Sequence, residues 1–220
     1  MDIMDLCEKM GIENEDGFVG FNIKLPSFND FSEFVGYVND IEFILTKCPF
    51  LQCNEEKIEF KNVDICSTWL TFAINGVLLT AGISILLNNI TSFVDKCIIL
   101  RSHYLTAEKQ KLDLENDKRN KQDKEVIRKY ITELYKHEVD FAISSLEEST
   151  GYKIENKDGD EYLRITQCMD KMGILLEKGL QIHAAIDSPQ EIKALFGPLE
   201  MKYIGYQKKL ELLEKKDANE

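Results

Sequence analysis

The chain has 220 residues, 44% hydrophobic and 30% charged, which is enough for one large domain or two small ones with a buried core. Its 39 acids outnumber 27 bases, and the excess sits in residues 1–66, where fourteen acids face five bases. That third would repel a phosphate backbone, so nucleic acid is not an expected partner.

Six cysteines stand at 7, 48, 53, 66, 97 and 168, and no two have the two-residue spacing that zinc knuckles and redox dithiols need. All six are read as reduced, and no cofactor is expected. Residues 1–10 alternate acids with apolar side chains and lack a basic segment followed by an apolar one, which points away from a secretory signal and toward a cytoplasmic protein.

In chain order, residues 18–25 alternate apolar and polar and end at Pro26, as a half-buried strand does. Ser27 and Asn29 offer N-caps for a helix to about Lys47, along which Phe31, Phe34, Val38, Ile41 and Ile44 recur at helical spacing. Residues 57–64 alternate again, with Ile58, Phe60 and Val63 on or near the core, and residues 65–74 form a second β-rich run around Trp69, the only tryptophan. The expected fold class is α+β: a small N-terminal antiparallel sheet with one helix (β-α-β-β), followed by long helices forming a bundle or a coiled-coil-like C-terminal part.

Residues 67–94 contain no charged residue. A 19-residue window from Trp69 has a mean hydropathy of about 1.9, above the ~1.6 typical of a membrane span, and Trp69 and Phe93 lie near its ends. Asn75-Gly76 breaks the stretch, and Asn88 and Asn89 would lack partners in lipid, so a strand running into a buried helix is the first expectation. Membrane association through residues 69–93 is the alternative.

Residues 106–125 balance six acids with six bases around only three apolar residues, as in an exposed helical rod or linker. The stripe then returns at Ile127, Ile131, Tyr135, Val139, Ala142 and Leu146, with Phe141 widening it. These six residues are the expected contact with a partner protein or a second copy. A further helix is expected from about Asp160 to near Ile186. Ser188, Pro189 and Glu191 then give a capping box for a short helix that Gly197-Pro198 closes, with a last helix over residues 199–215. The expected division is an α+β domain at 1–104, a charged rod at 105–125 and a helical domain at 126–220.

Few residues point to chemistry. Glu133, His137 and Asp140, spaced four and three apart, share one face of a helix and are the best metal-ligand candidates. Glu59 and Lys61 have the acid and lysine spacing of restriction-like nucleases, without a companion acid. His183, near an expected helix end, reads as structural. No phosphate loop, calcium loop or hydrolase elbow is present.

Residues 63–79 and the stretch LLEKGLQIHAAIDSPQEIKALFGP at 175–198 resemble uncharacterised bacterial proteins of accessory or phage-defence gene neighbourhoods. The resemblance covers under a quarter of the chain and implies a bacterial setting, without an activity. The leading functional expectation is a non-enzymatic interaction or assembly protein, with a membrane-acting effector using residues 67–94 and a metal-dependent hydrolase as alternatives.

Overall fold

The computed structural model of the chain describes residues 19–52, 57–64, 68–75, 81–116, 121–156, 159–186 and 188–217. Its first half follows the sequence pattern closely. Strand β1 is Gly20–Lys24, helix α1 is Phe31–Lys47, and a 3-10 turn, Pro49–Leu51, leads toward β2 at Lys57–Asp64 and β3 at Trp69–Asn75. The N-cap of α1 is Asp30 rather than Ser27 or Asn29. Its carboxylate accepts from Glu33 N at 2.8 Å, and Glu33 in turn accepts from Asn29 N at 3.0 Å, so one orphan donor of the first turn and the N–H just before the cap are satisfied.

Five helical or strand elements follow among the described residues. They are α2 at Ala81–Asn116, α3 at Lys121–Thr150, α4 at Asp160–Glu177 and β4 at Gln181–Ala184, and the last helix, α5, is Gln190–Asp217. Two expectations are corrected here. The helix from Asp160 stops at Glu177, not near Ile186, because Gly179 adopts φ +103. Leu180 N then bonds to Leu175 O and Gly179 N to Leu176 O, which closes the helix as a Schellman motif. The expected break at Gly197-Pro198 is absent, and α5 runs through Pro198. Ala194, whose carbonyl loses its donor to the proline ring, and Pro198 itself are both exposed, so water can serve that carbonyl. Buried Phe196, Leu199 and Tyr203 hold the helix on either side.

The capping box at the start of α5 is also corrected. Ser188 is buried, and its hydroxyl lies 3.4 Å from Gly20 N and 3.3 Å from Gly20 O, so it ties the helix start to β1.

The sheet order is β2-β3-β1-β4, every neighbouring pair antiparallel. Strands β1 and β2 are therefore parallel to each other across β3, and β3 and β4 are parallel across β1. This is the β-α-β-β-α-β arrangement of a split βαβ sheet, with α1 in the first crossover and α2, α3 and α4 together in the second. The strand β4 comes from within residues 126–220, the stretch expected to form a separate helical domain.

One face of the sheet carries Phe21, Ile23, Leu70, Phe72, Ile74 and Ile182, all buried. The same apolar cluster contains Leu86, Phe93 and Val94 of α2, Ile143 of α3, Cys168 of α4 and Phe196 of α5. Each large side chain fully buried there contributes about 1.5–3 kcal/mol. Thus Leu70, Phe72, Ile74, Leu86, Phe93 and Val94, all from residues 67–94, are spent inside the protein. No helix among the described residues is long and apolar enough to cross a membrane.

Polar ties lock the helices in register. Arg101 on α2 donates through Nε to Glu177 of α4 at 2.7 Å, and Lys171 of α4 pairs with Asp40 of α1. The stem of Arg101 lies along Gly173 of α4, where a Cβ would stand in ordinary contact with it at 3.4 Å.

Candidate interaction surface

Helix α3 holds most of the residues singled out from sequence, and it separates them. Glu133 is exposed, with Lys129 Nζ at 4.0 Å, and His137 is exposed beside it. Asp140 instead accepts the Tyr162 hydroxyl of α4 at 2.6 Å. Among the described residues no three His, Cys, Asp or Glu side chains are gathered to hold a metal. Of the candidate set Glu133, His137 and Asp140, one helical face aligns the three along the axis, and the inner member is turned to a neighbouring helix.

The proposed contact stripe is also divided. Val139, Ala142 and Leu146 are buried in the chain's own core, beside Ile143. The side chains of Ile127, Ile131 and Tyr135 lie outside the described residues. Phe141, expected to widen the stripe, faces solvent, as does Val126.

On β2, Glu59 and Lys61 are exposed and flank a register shift between Phe60 and Asn62. Lys61 is the extra residue of a bulge on an edge strand. Phe60 is 58% exposed rather than in the core, although its ring meets Phe72 edge-on at 5.8 Å. The side chain of Val63 lies outside the described residues.

Three thiols, Cys48, Cys97 and Cys168, are free and buried. The Cys48 and Cys168 thiols are near enough in the core to influence each other. Burial pushes the Cys48 thiol well up, whereas the neighbouring Cys48 thiol, helped by Lys171 and Arg164, holds the Cys168 thiol below its ordinary value against its own burial. Cys7, Cys53 and Cys66 lie outside the described residues.

The second face of the sheet is polar and aromatic. Register places Asn22 opposite both Thr71 and His183, with Lys24 opposite Trp69 and Gln181. The Trp69 ring stands 5.4 Å from the His183 ring, and His183 also lies 3.3 Å from Glu200 and 3.2 Å from Gln181. His183, read from sequence as structural near a helix end, is therefore a strand residue joining the sheet to α5.

Helix α5 presents what the sequence reading missed. Its core side carries Ile192, Phe196, Leu199, Tyr203 and Tyr206. On the opposite side Met201, Ile204 and Leu212 are 73%, 51% and 64% exposed. Expecting two helices parted at Pro198 hid this second stripe, because its spacing continues only when the helix does.

Finally, α2 and α3 pack together as an antiparallel pair, joined through residues 117–120 and tied by His103 Nδ1 at 3.0 Å from Glu138. No protein-family model matches the sequence, and no curated protein or solved structure was found to be similar to it.

Proposed function

We propose that the chain is a non-enzymatic interaction and assembly protein, in which the split βαβ sheet and its helices form the body and the paired helices α2 and α3 form an arm that meets a partner. The observation carrying this reading is the length of that pair. After Leu105, the last described core-packed side chain of α2, the helix continues for 116 − 105 = 11 residues. Helix α3 runs 139 − 121 = 18 residues before Val139, its first described core side chain.

At 1.5 Å per residue these stretches span roughly 16 and 27 Å. A helix pair that long, with Val126, Lys129, Glu133, Lys136 and His137 exposed, is a surface for coiled-coil-like pairing with other helices. The setting in bacterial phage defence rests on the resemblance of residues 63–79 and 175–198 alone.

The test is a photo-crosslinking residue placed singly at Glu133 and Lys136 in cells that make the protein. The expected result is one discrete adduct, which mass spectrometry identifies as a second copy or as a single other protein. Absence of any adduct at both positions, with a working crosslinker, would contradict the arm as a docking element.

A further inference from the structure

Helix α5 buries one apolar stripe and exposes another on its opposite side. Taking 3.6 residues per turn, the exposed apolar side chains Ala194, Met201, Ile204 and Leu212 fall within a sector about 100° wide. That is the width of a stripe that faces a packed neighbour. Between Ala194 and Leu212 the other positions of the sector are Gly197, Gly205 and Lys208, all exposed. A Cβ built on Gly197 or Gly205 would have nothing within 4 Å, so each is an open notch beside an apolar knob. The buried residues Phe196, Leu199, Tyr203 and Tyr206 already anchor the helix, and the outer stripe is not needed to hold the fold.

We infer that this outer face of α5 pairs with the same face of a second copy, antiparallel, about a twofold axis between Met201 and Ile204. The inference rests on the assembly reading and adds to it a second contact, of this chain with itself, apart from the arm. Size and charge select both the partner and the direction. Across such an axis Met201 meets Ile204 of the other copy, and the stem of Lys208 crosses the notch at Gly197.

Glu211, just outside the sector, comes beside Lys193 of the other copy, and the twofold repeats that pair. A parallel, in-register pairing would stack Lys208 on Lys208 and Glu211 on Glu211, which like charges oppose. A patch that pairs with its own copy is the isologous contact that closes a twofold dimer and stops there. With so few side chains on each copy the contact is small, so the dimer is expected to dissociate in the micromolar range.

The experiment uses the full chain carrying Ile204→Cys, and separately Lys136→Cys as a control on the arm, each exposed to a mild disulfide-forming oxidant. The expected result is a covalent dimer for Ile204→Cys, mapped by peptide analysis to a 204–204 link, and none through residue 136. In parallel, Met201→Glu with Ile204→Glu is expected to abolish dimer formation in light scattering while the far-UV circular dichroism stays that of the parent.

If neither readout changes from the parent, the α5 pairing is overturned, and the adducts at Glu133 and Lys136 still decide the assembly reading independently. A parent that is monomeric at every concentration, with no 204–204 link, overturns it equally and leaves only a different protein as partner of the arm.

Discussion

The hydroxyl of Tyr203 accepts the backbone N–H of Ile182 at 3.1 Å, so the last helix closes the outer edge of β4, the four-residue strand at the end of the sheet. Edge N–H groups left open invite pairing with other chains, and a helix laid along the edge removes that hazard. Tyr203→Phe keeps the ring and leaves the Ile182 donor unpaired in a buried place. The expected cost is about 1–3 kcal/mol in urea unfolding. A change under about 0.5 kcal/mol would show that the edge is sealed by something other than this bond.

Leu86 is fully buried near the start of the described core of α2. Leu86→Asp is expected to give an insoluble or unfolded chain, since an unpaired charge in that position costs several kcal/mol. A soluble variant with parental circular dichroism would place residue 86 at a surface instead.

The acids and histidine of α3 should respond unequally. Glu133→Ala with His137→Ala is expected to leave stability within about 0.5 kcal/mol, as for other exposed substitutions. Asp140→Ala removes the acceptor of the Tyr162 hydroxyl and is expected to cost about 1 kcal/mol. Equal losses for the two variants, or manganese or zinc binding that both abolish, would contradict the arrangement described for these side chains.

High pH should destabilise the protein through its tyrosines. Burial, with the bond to Glu33, pushes Tyr37 up to about 12, and the bond to Glu161, with burial, pushes Tyr152 up to about 12. In the unfolded chain tyrosine ionises near 10. A group whose folded pKa is raised contributes stability that is fully present below the unfolded value and lost as pH rises through the folded one. The melting temperature is therefore expected to fall between about pH 10 and 12, and Tyr37→Phe should flatten that fall. The opposite case holds for Glu33, which the Tyr37 hydroxyl keeps below the ordinary carboxylate value, so its contribution is lost on acidification. An unchanged alkaline slope in Tyr37→Phe would remove Tyr37 as a cause.

The legible parts of the fold were those whose period is local. Residues 57–64 alternate, and the strand Lys57–Asp64 has those bounds, while Ile41 and Ile44 at helical spacing fixed the inner face of α1. Strand β4 was hidden because Ile182 and Ala185 keep a spacing that also suits a helix, and only pairing with β1, more than 150 residues earlier, decides between the two. The passage through Pro198 was hidden for a related reason, since packing of Phe196 and Leu199 outweighs the local preference to break.

Of the candidate surface, spacing placed Glu133, His137 and Asp140 on one helix. It could not show that Tyr162, twenty-two residues on, takes up Asp140, or that Val139, Ala142 and Leu146 pack inward.

The central claim is that this protein works by assembling, and sedimentation equilibrium of the full chain from about 1 to about 100 µM tests it most directly. The account predicts an average mass that rises with concentration from 25.4 kDa toward twice that value. It also predicts that Met201→Glu with Ile204→Glu keeps the mass at the lower limit. A single 25.4 kDa species across the whole range, the same for parent and variant, would contradict self-assembly through α5.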